Sequence, residues 1–122
     1  MLDNSTVQSS VIAFKEKRRK GDEAPMEAVA RGVIEQAIDD ELSERRLELS
    51  FNTFKRFEEE GYLKSAESAM FGKIYAEAFN YFVNFKLHSK DPISLREMEE
   101  FERVIDRRVL EIWSKIMHLS AR

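Results

Sequence analysis

Residues 71–88 read FGKIYAEAFNYFVNFKLH, and the distribution of apolar side chains in this stretch decides the fold. From Met70 to Leu87, twelve of eighteen residues are apolar. At about 100° per residue they cover most of a helix circumference, interrupted mainly by Lys73, Glu77, Asn80, Asn84 and Lys86. A helix that is apolar nearly all round belongs at the centre of a protein or in a contact between proteins. Its longest uncharged run, AFNYFVNF, falls far short of the roughly 20 residues that cross a bilayer, so no membrane partner is expected.

Outward from this helix, punctuation is sparse. It falls at GDEAP (21–25), EEEGYLKS (58–65) and SKDPIS (89–94), and the 122 residues contain only four Gly and two Pro. That length suits one domain with a real core, and the composition favours long helices joined by short turns. The first helical segment, about 5–20, carries a thin stripe of Val7, Val11, Ile12 and Phe14. The second begins at Pro25, a first-turn residue, and repeats Met26, Val29, Ala30, Val33, Ile34, Ala37 and Ile38 at helical spacing. Beyond Leu42 its stripe shifts to Leu47, Phe51, Phe54 and Phe57, on a face rotated by about 100°. Either one helix of about 54 Å changes partners along its length, or the helix breaks near DDELSE, where Asp40 or Ser43 would cap a new start. Gly61 suits the left-handed residue that closes it, with Phe57 and Tyr62 at the touching positions of a Schellman motif.

The last segment has the strongest start signal. Ser94 and Glu97 form a capping box, flanked by Ile93 and Met98 as a hydrophobic staple. Its stripe of Met98, Phe101, Ile105, Val109, Ile112, Ile116 and Leu119, with Trp113 at the edge, is one-sided. The expected fold is all-α: an antiparallel helical bundle of three to four long helices preceded by a loosely attached N-terminal helix. The division is an N-terminal basic helical arm at 1–22 and a helical bundle domain at 23–122.

The chemistry of the chain is bounded by what it lacks. Without cysteine there is no disulfide, thiolate metal site or cysteine nucleophile, which suits a cytoplasmic location. No phosphate-binding glycine loop, dinucleotide fingerprint, nucleophile elbow or HExxH motif is present. Phe85 and Lys115 stand three residues before His88 and His118, so the Glu-x-x-His pair of di-iron bundles is missing. Both histidines fall in the last turn of a helix, where the dipole favours a partly charged imidazole. The one carboxylate set worth testing for a metal is Glu99, Glu102 and Asp106, which share an arc of about 60°, with Glu35 and Asp39 as a facing pair. All-α nucleotide pyrophosphohydrolases hold Mg²⁺ with EExxE and ExxD signatures, and the EEFERVID of this chain matches neither. No cofactor, no metal and no catalytic residue is therefore assigned, and the chain is expected not to be an enzyme.

Twenty Lys and Arg against 23 Asp and Glu give a net charge of -3, so any attraction to nucleic acid must be local. Glu16–Lys20, Glu27–Arg31, Glu41–Arg45, Glu99–Arg103 and Glu111–Lys115 place an acid four residues before a base, the favoured surface pairing on a helix. Two features escape that pattern. The run Lys15, Lys17, Arg18, Arg19, Lys20 is a possible nucleic-acid-binding arm, joined by Arg45, Arg46, Arg103, Arg107 and Arg108 on adjoining faces. Glu58, Glu59 and Glu60 crowd a helix C-terminus, where negative charge is unfavourable, and form an acidic knob suited to a basic partner.

Small residues add a packing expectation. Ser68, Gly72 and Ala76 lie at four-residue spacing, and Ala28 with Gly32 repeats the device, so a close helix crossing is expected there. The aromatic half of the central helix then lacks cover, and Phe71, Tyr75, Phe79, Tyr81, Phe82 and Phe85 are the expected interface of a two-fold homodimer. Three functions are weighed in order: a non-enzymatic interaction protein, an adaptor or small subunit that self-associates and meets a further protein partner; a nucleic-acid-binding or regulatory protein; and a metal-dependent phosphohydrolase.

Overall fold

The computed structural model describes residues 28–89 and 92–122, and among them every regular element is a helix. In chain order these are α1 (Ala28–Glu41), α2 (Glu44–Glu59), α3 (Ala66–Ser89) and α4 (Leu95–Ser120). They pack as an all-α helical bundle in which α3 touches all three others. The expected N-terminal arm lies outside the described residues.

The second segment breaks, and Ser43 is the junction. Leu42 N–H still bonds to Ile38 at 2.9 Å, but Ser43 turns extended (φ -62°, ψ 145°) and its carbonyl accepts Leu47 N–H at 3.0 Å to open α2. The Ser43 side chain makes no capping bond. The rotated stripes explain the break. Ala30, Ile34, Ala37 and Ile38 bury one face of α1, while Leu47, Phe51 and Phe54 pack from another face of α2. A single straight rod could not point both at one core. At the corner the Glu41 carboxylate is only 4% exposed and is held between Lys73 Nζ at 2.6 Å and Arg46 at 2.8 Å. Glu41 thus pairs across the fold rather than with Arg45 one turn on.

The α2–α3 turn is built as expected. Gly61 has φ 87°, its N–H bonds to Glu58 O at 3.1 Å, and Tyr62 N–H bonds to Phe57 O at 2.8 Å. These are the two bonds of a Schellman motif, and the Tyr62 ring meets Phe57 edge-on at 6.3 Å. The start of α3 uses the same turn. Ser65 Oγ accepts Ser68 N–H at 3.1 Å, and Glu58 Oε1 accepts Ala66 N–H at 2.8 Å. Glu58 is therefore engaged within the fold rather than offered to a partner.

Along α3, side chains four residues apart share surroundings. Met70, Ile74, Ala78 and Phe82 are buried. Phe71 stacks on Trp113 at 5.2 Å, and Tyr75 and Phe79 meet Phe101 at 5.5 and 5.3 Å, so this second row faces α4. Lys73 and Tyr81, in a third row, lie toward α1. Ser68, Gly72, Ala76, Asn80 and Asn84 form the fourth row, and all are exposed. Four residues turn a helix by about 400°, so each row winds by about 40° per step and matches neighbours that cross at an incline. This is how a helix apolar nearly all round fits inside one small bundle.

The expected close crossing is corrected by that fourth row. Ala28, Gly32, Ser68, Gly72 and Ala76 are exposed, and a Cβ added at Gly32 or Gly72 would meet nothing within 4 Å. The core between α1 and α3 is made instead by Ala30, Ile34, Ala37 and Ile38 with Ile74 and Ala78. Small residues in register equally mark a flat outer face, and spacing alone does not say which.

α4 closes the bundle. Ser94 Oγ accepts Glu97 N–H and Glu97 Oε1 accepts Ser94 N–H, both at 3.0 Å, completing the capping box. Lys86 Nζ meets Glu97 at 2.8 Å, Phe82 stacks on Phe101 at 5.8 Å, and Ser120 Oγ donates to Glu67 at 2.5 Å. These contacts descend α3 as they ascend α4. The Ser120 hydroxyl, chiefly, holds the Glu67 carboxyl below its ordinary range.

Candidate functional site

The bundle uses most of the aromatic set expected at an interface. Phe82 is fully buried, and Phe71, Tyr75, Phe79 and Phe85 are packed against the core. The Tyr75 hydroxyl donates to Glu102, and burial first, then that carboxylate, pushes the phenol up to about 12. Tyr81 alone of the six stays open, at 42% exposure. It borders a shallow depression of about 330 Å³ between α1 and α3, lined also by Val29, Gly32, Val33, Gln36, Ala37 and, at its edge, Asp40.

The acidic residues do not converge. Among the described residues no group of three or more His, Asp or Glu is placed to hold a metal ion. Glu102 is bonded to Tyr75, and Asp106 is exposed. Glu99 lines an arginine-rich cleft. Glu35 and Asp39 are taken by Arg108, which meets them at 2.9 and 2.6 Å and Glu111 at 2.9 Å. These carboxylates, Glu111 foremost, raise the Arg108 pKa further and fix its charge. Glu111 is therefore spent on Arg108 rather than on Lys115.

The arginines divide into used and unused. Arg46 and Arg108 belong to the ion pairs above, and Arg45 is exposed on α2. Arg103 and Arg107 form no ion pair with a described residue. They share a cleft of about 470 Å³ with Arg31, Arg96, Glu99 and Glu100. The Glu100 side chain is 10% exposed and lies 3.4 Å from Arg96 and 3.7 Å from Arg31. Lys15, Lys17, Arg18, Arg19 and Lys20 lie outside the described residues. Arg96, Arg103 and Arg107 follow one helix stripe at spacings of seven and four, a signal present in the sequence. The contribution of Arg31 from another helix had no local signal.

Comparison with protein-family models, curated proteins and solved structures finds no match to this chain.

Proposed function

We propose that the chain is a non-enzymatic helical interaction protein that associates with a second copy of itself through the outer face shared by α1 and α3. The observation that carries this is the uncharged row Ser68, Gly72, Ala76, Asn80, Asn84 beside the apolar depression at Val29, Gly32, Val33 and Tyr81. In a chain that is 35% charged, a five-residue solvent-facing row without a charge is unusual. A two-fold contact brings each surface against its own copy, so any charge near the axis meets a like charge. The uncharged row suits that geometry and the arginine cleft does not. Glycines without a Cβ neighbour allow another helix backbone to come close. Val29, 63% exposed, and Tyr81 supply the apolar area that association removes from water.

The test is the mass in solution by size exclusion with light scattering. Wild-type chain is expected to run at twice 14.3 kDa across the micromolar range. Val29→Lys with Tyr81→Lys is expected to run as monomer with an unchanged helical circular dichroism spectrum. A wild type that stays monomeric throughout that range overturns the proposal.

A further inference from the structure

The geometry points to a second site: we infer that the cleft of Arg31, Arg96, Arg103 and Arg107 binds a chain of linked phosphates on a small ligand. Among the described residues, four guanidiniums from α1 and α4 surround the cleft against two carboxylates, in a chain whose net charge is -3. Glu100 does not cancel this excess. It is largely buried beside Arg96 and Arg31 and serves to orient them. Arg103 and Arg107, one turn apart, have no described counterion, although like charges at that spacing repel by roughly 0.2–0.5 kcal/mol. Glu99 sits four residues before Arg103, the favoured orientation for a pair, and still does not engage it. A bound anion would relieve that repulsion.

Phosphate is the anion that the residue type selects. The planar guanidinium fork matches two phosphate oxygens at once, and it stays charged at any physiological pH. Arg103 and Arg107 lie about 6 Å apart along the helix at 1.5 Å per residue, so their long side chains can converge on neighbouring phosphates of one chain. The cleft volume of about 470 Å³ falls in the range of small-molecule sites. Among the described residues no aromatic ring lines it to stack a base, so recognition falls on the phosphates themselves. This site shares no lining residue with the α1–α3 depression and stands or falls independently of self-association.

Isothermal titration of the full chain with sodium tripolyphosphate, ATP and orthophosphate tests the assignment. Tripolyphosphate is expected to bind more tightly than orthophosphate, and more weakly as salt rises. Arg103→Glu with Arg107→Glu is expected to weaken it by about tenfold or more, as lost charged hydrogen bonds imply. Lys17→Glu with Arg18→Glu, and Arg45→Glu, are expected to change it by less than about twofold. ATP binding equal to tripolyphosphate assigns the cleft to any phosphate chain, and tighter ATP binding assigns it to nucleotides. The inference is overturned if tripolyphosphate does not bind, if the variants at 17 and 18 or at 45 weaken it as much as those at 103 and 107, or if only a long RNA strand binds.

Discussion

The Glu58 carboxylate near the end of α2 accepts the backbone N–H of Ala66 at 2.8 Å, so an acid from one helix terminus satisfies the first turn of the next. Near its own helix C-terminus Glu58 is unfavourably placed, and at the N-terminus of α3 the same charge is favourable. Glu58→Ala is expected to destabilise the fold by about 0.5–2 kcal/mol, the usual range for loss of an N-terminal capping acceptor. Chemical denaturation reads this directly. A change within error of zero would mean that Ala66 finds another acceptor.

Gly32 and Gly72 sit in helices with nothing near the position of a Cβ. Gly32→Ala and Gly72→Ala are each expected to raise stability by about 0.5–1 kcal/mol, because alanine restricts the unfolded chain and meets no clash. Thermal unfolding at low protein concentration is the measurement. Destabilisation there would show that the two glycines meet a helix of the same chain after all.

Burial, and then the Glu102 carboxylate, push the Tyr75 phenol up to about 12 from its ordinary range near 10. A raised folded-state value means the protonated phenol stabilises the fold below about pH 10, and that contribution is lost as pH rises toward 12. Wild type is expected to lose stability across this alkaline window more steeply than Tyr75→Phe, which lacks the titrating group. Parallel denaturation curves for the two proteins would contradict the assignment.

Phe82 is fully buried and stacks on Phe101 at 5.8 Å. Phe82→Ala is expected to cost about 3–5 kcal/mol, the usual range for truncating a buried aromatic. The loss would appear in the urea midpoint of unfolding.

Much of the fold was legible because its signals are local. The Ser94–Glu97 box, the Gly61 closure and the stripe of α4 each lie within a few residues of sequence. The shift of stripe after Leu42 posed the right alternative, and only the shared core decides it in favour of a break at Ser43. Harder to read was the central helix. Counting apolar residues around α3 places Ala76 in a greasy surface, and small-residue spacing places Gly72 in a close crossing, whereas both lie outward in one row with Asn80 and Asn84. Ion pairs were read as neighbours four apart, yet Glu41 joins Lys73 and Arg46, and Glu111 joins Arg108. Those choices depend on which helices meet, as does the approach of Arg31 to the α4 arginines.

The four rows of α3 make the helix intolerant of changes in length. Inserting one residue near Ala76 would turn everything beyond it by about 100°. The slot of Ala78 and Phe82 would pass to Glu77 and Tyr81, and Phe79 would yield its place against Phe101 to Ala78. No single exchange of side chain does so much damage. For the packing of this bundle, side chains in the outer row of α3 can change, but the number of residues in the helix hardly can.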